Sequence, residues 1–212
     1  MSEPDPPQEA TDQRLLRGAR ARAAISRHAV DVASLEGLTG LSIGRLAADL
    51  GLSKSGIATL FGSKENLQLA VAATAREVFL DAVVSPASNA PSGGARLRAL
   101  TEYWLAYVRA PLFAGGCFWA AGLADFDSRP GPVRDELIRH RRHWLALLTG
   151  EFEQALAAGE APDLDPELAA FQLDAVLVAA NTALRLGDED TPEKVRRVLD
   201  GLLTPRRQAD ER

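Results

Sequence analysis

Residues 42–61, SIGRLAADLGLSKSGIATLF, narrow the folds open to this chain more than any other segment. Ser42 and Ser53 each stand where a helix start needs a side-chain acceptor for the free N–H groups of its first turn. Gly51, between the two, supplies the backbone freedom of a tight turn. Leu46, Ala47, Leu50, Leu52, Ile57 and Leu60 are the small and apolar residues that meet where two helices cross. The pattern predicts one short helix ending at Leu50 and another running to about Phe61, held at a fixed angle as a helix-turn-helix. A helix pair used purely for packing is the rival reading.

No segment alternates Val, Ile and Thr as strands do, whereas helical spacing recurs throughout, so the expected fold is all-α with about nine helices. A first helix is expected from about Gln13 to Leu35, with Ile25, Ala29 and Val32 on one face and Gly37 as its stop. Gly62 ends the third helix, and Ser63 caps a fourth with an inner stripe of Leu67, Val71, Thr74 and Val78. The stretch SPASNAPSGG, residues 85–94, reads as a loop. A fifth helix carries Leu97, Leu100, Trp104 and Tyr107 or Val108 and stops near Pro111. A short sixth covers residues 115–126. Pro130, Gly131 and Pro132 turn the chain into a long seventh, with Val133, Leu137, Trp144, Leu148 and Phe152 on one stripe, ending near Gly159. Asp165 followed by Pro166 opens an eighth helix to Leu186, and Thr191 with Pro192 repeats that start for a ninth. The chain divides into a disordered acidic tail (1–12), a three-helix head (13–76), a C-terminal helical bundle (77–204) and a C-terminal tail (205–212).

The net charge of −5 conceals a polarity. Residues 13–76 carry nine Arg and Lys against Asp31, Glu36, Asp49 and Glu65, while the tail before them and the bundle after them are acidic. A basic head on an acidic body aims one end of the molecule at phosphates. No run approaches eighteen apolar residues, and the acidic, proline-containing start lacks the pattern of a signal peptide, so a cytoplasmic protein with no membrane association is expected. The single cysteine, Cys117, allows no intramolecular disulfide and has no ligand spacing around it. No catalytic triad, HExxH or phosphate-cradling glycine loop stands out, and neither an enzyme, a metal nor a cofactor is expected.

The string GLTGLSIGRLAADLGLSKSGIATLFGSKENLQLAV resembles the signature segment of the tetracycline-repressor (TetR) family of bacterial regulators, SKSG and FGSKE being its most specific parts. The stretch PLFAGGCFWAAGLADFDSRPGPVRD is similar to ligand-binding domains in part of that family. The resemblance implies an all-α dimer with a DNA-binding head, a ligand-binding body, and repression at a pseudopalindromic operator relieved by a small molecule. On the third helix it leaves Lys54, Ser55, Ala58 and Thr59 facing outward. Lys54, Ser55 and Thr59, with Ser42, Arg45, Ser53 and Lys64, are the candidate DNA-binding residues. The chain departs from its relatives at Ala58, where an aromatic residue is common, at Leu60, where a His precedes the phenylalanine, and at Gly44, where a longer polar side chain occurs. These departures keep open a second reading, a helical ligand-binding or interaction protein with weak or lost DNA binding.

Trp104, Tyr107, Phe118, Trp119 and Trp144 gather the larger aromatics in helices five to seven, as core or as the wall of an effector pocket, and the resemblance favours a pocket. His140 shares the Leu137 and Trp144 face, either as a partly exposed histidine among Arg139, Arg141 and Arg142 or as a ligand contact. Asn181 lies inside the apolar eighth helix and needs hydrogen bonds from a ligand or from another helix. Cys117 reads as a buried structural residue. The eighth helix is apolar nearly all round, and Val195, Val198, Leu199 and Leu202 form a stripe on the ninth, so a homodimer through residues 165–203 is expected.

Overall fold

The computed structural model describes residues 8–109 and 112–204, and the helix-only expectation holds among them. Nine helices follow in order: α1 (Gln8–Gly40), α2 (Ile43–Leu50), α3 (Lys54–Phe61), α4 (Lys64–Phe79), α5 (Gly94–Arg109), α6 (Phe118–Phe126), α7 (Pro132–Ala157), α8 (Pro166–Arg185) and α9 (Thr191–Leu203). Helix α4 runs on through a π turn, Leu80–Val84, and a last helical turn, Ser85–Ala87, so the loop expected from residue 85 begins three residues later.

Local chemistry explains most of the boundaries. The hydroxyls of Ser42, Ser53 and Ser63 accept from the main-chain N–H groups of Arg45, Gly56 and Asn66. Asp165 caps α8 by accepting from Glu167 and Leu168. Gly51 takes the left-handed conformation (φ 64°, ψ 28°) that turns α2 into α3. Gly37 (φ 77°, ψ 161°) breaks α1 as expected, and one further turn completes it to Gly40.

Several expectations require correction. Helix α1 starts at Gln8 rather than Gln13, which takes residues 8–12 out of the expected tail; residues 1–7, Pro111 and residues 205–212 lie outside the described residues. Helix α6 begins at Phe118, after a turn through Gly115 and Gly116. Thr191 is helical and buried, and Asp190 precedes it at the cap position. Leu52 is 46% exposed, because it follows the turn and points away from the crossing that buries Leu46, Ala47 and Ile57. On α4 the buried stripe is Leu67, Val71, Ala72, Ala75 and Phe79, with Thr74 and Val78 at its margin.

A single continuous core joins head and bundle, running from Ile25, Ala29 and Leu46 through Val71 and Phe79 to Leu137, Phe152 and Leu199. Helix α1 packs on both α4 and α6, and α4 packs on α7, so the head rests on two helices of the body. Helix α8 packs on α7 and α9. It is also long and apolar enough by composition to cross a membrane, with a mean hydropathy of 1.2 in its most apolar window, although no eighteen-residue apolar run is evident in the sequence. Only 39% of that window is buried.

Candidate DNA interface and effector site

In the head, α3 is held by its flanks so that its outward side stays open. Ile57 and Phe61 are buried against α1 and Leu60 is partly buried, while Ser53, Lys54, Ser55 and Thr59 are exposed. Arg22 of α1 stacks its guanidinium over the Phe61 ring at 4.6 Å and donates to the Leu60 carbonyl at 2.6 Å, placing a cation at the negative end of the α3 dipole. Three of the candidate hydroxyls are committed to the backbone: Ser42 caps α2, Ser53 caps α3, and Thr59 Oγ1 donates to the Ser55 carbonyl at 2.9 Å. Gly44 lies beside Lys54: a methyl there would be in ordinary contact with the lysine Cε at 3.4 Å and Nζ at 3.6 Å. Lys64 Nζ donates to the Thr39 carbonyl at 2.7 Å, which leaves two of its three N–H donors available.

Arg45 is the candidate whose surroundings differ most from expectation. Its Nε donates to both Asp49 carboxylate oxygens (2.9 and 2.8 Å), and its Nη1 reaches Glu36 at 3.2 Å. His28 completes the cluster 3.2 Å from Asp49, and His28 and Arg45 together hold the Asp49 carboxyl below the usual carboxylate range. The charge of Arg45 is therefore matched by protein carboxylates, while its Nη2 and one Nη1 N–H remain available to a phosphate.

In the body, the sequence candidates are all buried, but they do different work. A cavity of about 50 Å³ is walled by Trp104, Trp119 and Trp144, the three tryptophans of the chain, with His140, Phe79, Cys117, Ala120, Leu123, Leu177 and Val178. His140 is not the partly exposed histidine of the blander reading. It stacks on Trp119, with centroids 3.4 Å apart and planes 11° from parallel, and meets the Phe79 ring edge-on at 5.3 Å. Burial, reinforced by Arg76 and His143, pushes its pKa down to about 3, so the ring is neutral near pH 7. Tyr107, Phe118 and Asn181 support the wall from behind it. Tyr107 packs edge-on against Phe79 and Phe113, and Phe118 against Trp119. Asn181 Oδ1 accepts from the Cys117 main-chain N–H at 2.8 Å, the interhelical alternative to a ligand contact. Burial pushes the Cys117 thiol up to about 11, which leaves no thiolate near pH 7.

Sequence reasoning missed the cavity's charged margin. Asp174 of α8, with its side chain 8% exposed, accepts from Arg141 Nη2 at 2.9 Å, and both residues line the cavity. An acid within so apolar a helix was the available signal, and its partner 33 positions away was not.

Residues 93–199, about half of the chain, match the family of tetracyclin repressor-like C-terminal domains. The chain belongs to the TetR family. Solved structures of TetR-family regulators share its fold. A TetR transcriptional regulator from Chloroflexus aurantiacus is 24% identical, covering 87% of this chain and 94% of that one, with a TM-score of 0.76. A TetR-family transcriptional regulator from Streptomyces coelicolor is 23% identical over 95% and 96% of the two chains, with a TM-score of 0.75. AibR, in complex with isovaleryl coenzyme A and operator DNA, is 21% identical over 87% and 99%, with a TM-score of 0.72. Comparison with curated proteins returned no match.

In this TetR-family transcriptional regulator, the joint between head and body is also built from residues that the sequence reading did not single out. Asp31 accepts from Ala114 N at 2.7 Å, and Ser34 Oγ accepts from Gly115 N at 2.9 Å, so α1 holds the loop that precedes α6. Within the head, Gln68 of α4 donates to the Leu38 carbonyl at 2.8 Å from a buried position and so fixes α4 to the end of α1. Asp125, near the end of α6, accepts from the Thr39 main-chain N–H and from its hydroxyl.

Proposed function

We propose that the protein is a homodimeric repressor whose two α3 helices enter successive major grooves of a pseudopalindromic operator, about one helical turn apart, and whose operator affinity falls when a small molecule occupies the body. The observation that carries this reading is that two of the helices lining the cavity, α4 and α6, also hold the end of α1 in the head. Phe79, at the end of α4, is a cavity wall, and Lys64 and Gln68 at its start bond the α1 turn. Trp119, Ala120 and Leu123 of α6 are cavity walls too, and Asp125 on the same helix holds Thr39. An occupant that spreads Phe79 and Trp119 displaces both supports of the head. It shifts the equilibrium only to the extent that it binds the non-DNA arrangement more tightly. AibR, solved with both an acyl coenzyme A and operator DNA, supports the same pairing of ligand and operator here.

The dimer rests on α8 and α9. Leu168, Phe171 and Val178 of α8 and Val198 of α9 are exposed in the protomer, with Phe171 at 55%, beside Ala175 and Ala179, which let another backbone approach. Covering this face makes the apolar character of α8 compatible with a protein that stays in the cytoplasm, away from membranes.

Selection of bound fragments from a genomic library, followed by gel shifts, tests the proposal. Recovery of a two-fold-related site near the protein's own gene is the expected result. The weak or lost DNA-binding reading is favoured by the sparse outward face of α3 and by the carboxylates that occupy Arg45. Failure to retard any genomic fragment at low salt would establish it instead.

A further inference from the structure

We propose that the occupant of the body is an amphipathic organic anion, with a compact apolar end in the tryptophan cavity and its anionic end in the neighbouring groove lined by Arg134, Arg141 and Arg142. The inference rests on the effector reading above and names the ligand class for that site.

Next to the cavity lies a groove of about 430 Å³ between α6 and α7. The two spaces lie side by side, with Leu123 and Arg141 lining both. The cavity of about 50 Å³ is enough for a short alkyl end and too little for a large polycyclic body. Most of its walls are aromatic and aliphatic, His140 is uncharged, and the charged lining residues, Arg141 and Asp174, are paired with each other, which suits an apolar buried end of the ligand. Trp119 is 5% exposed, and its Nε1 is buried without a hydrogen-bond partner among the described residues.

The groove carries the opposite chemistry. Its charged residues are Arg134, Arg141, Arg142 and Asp127. Arg141 is neutralised by Asp174, and Arg134 Nε donates to the Asp127 main-chain carbonyl at 2.8 Å, a bond that leaves its charge unmatched. Arg142 has no ion pair among the described residues. The groove is therefore cationic on balance, over an apolar floor of Phe126, Leu137 and Ile138. Guanidinium groups beside an apolar floor suit a carboxylate or phosphate joined to a hydrocarbon.

Because all three tryptophans line the cavity, intrinsic fluorescence reports occupancy directly. The full-length protein is titrated with four probes of equal chain length: hexanoate, hexyl phosphate, hexanamide and hexylammonium. The expected result is that at least one anion binds ten-fold or more tightly than the amide, with the ammonium weakest. In Arg142→Gln the preference for the anion should collapse to within about two-fold, and in Arg142→Glu the ammonium should overtake the anions, with circular dichroism confirming that both variants are folded. Equal affinity for the anion and the amide, or preference for the ammonium in the unmutated protein, overturns the anion assignment and leaves the effector reading intact. No fluorescence response to any probe at millimolar concentration overturns the site assignment. The effector reading then depends on a separate assay, release of operator fragments by a low-molecular-weight cell extract.

Discussion

Asp125 accepts two hydrogen bonds from Thr39, one from the main-chain N–H and one from the hydroxyl, each 2.8 Å long and spanning 86 positions of sequence. The same Thr39 offers its carbonyl to Lys64. One residue at the end of α1 thus joins the cavity-lining helix α6 to the first turn of α4. Asp125→Ala leaves a partly buried N–H without its acceptor, and a loss of about 1–3 kcal/mol in unfolding free energy is expected. The operator affinity of this variant should also respond less to ligand, as measured by anisotropy with and without hexanoate. Full ligand response in a folded Asp125→Ala protein would remove this contact from the coupling route.

DNA contact by the exposed lysines has a signature in salt. Lys54→Ala and Lys64→Ala should each make the logarithmic dependence of operator affinity on salt shallower by about one unit. Asp49→Asn is expected to act oppositely, raising affinity, because it removes an acid beside the proposed DNA face and loosens the hold on Arg45. An unchanged slope in both lysine variants would take those residues out of the interface.

His140 ties stability to pH. Its pKa of about 3 in the folded protein lies below the ordinary value of 6.5, so between these values the unfolded chain binds a proton that the folded chain does not. The stability contributed by this neutral ring is complete above about pH 6.5 and is lost progressively as pH falls towards 3, at up to roughly 1.4 kcal/mol per pH unit. Denaturant melts of His140→Gln between pH 4 and 7 should show a flatter profile than the unmutated protein. Parallel profiles would mean that other groups dominate the acid limb.

The uncovered face of α8 predicts its own assay. Phe171→Asp places a charge at the centre of the proposed dimer contact without touching the protomer core, from which Phe171 is 55% exposed. Light scattering at micromolar concentration should show a dimer for the unmutated protein and a monomer for the variant, with operator binding much reduced. A monomer for the unmutated protein would dispose of the dimer directly.

The helices, their serine and aspartate caps, the Gly37 break and the turn at Gly51 were legible in the sequence, because each depends on neighbours within about four positions. The all-α class followed from the same short-range signals. Near misses such as the start of α1 and the end of α4 occurred where the chain remains helical without a local stop. The sites divide differently. Aromatic crowding pointed to the body's pocket, yet it could not separate Trp119 and Trp144, which wall the cavity, from Phe118 and Tyr107, which brace it. Neither did it reveal that Arg45 is occupied by Asp49 and Glu36, or that Arg141 meets Asp174. By itself the sequence determined which segments are helices and where a helix-turn-helix sits, since capping, turns and amphipathic spacing act locally along the chain. Only the tertiary structure decided which charges are spent within the molecule and which face a ligand, and which helices bridge cavity and head, because those outcomes depend on side chains brought together from distant parts of the sequence.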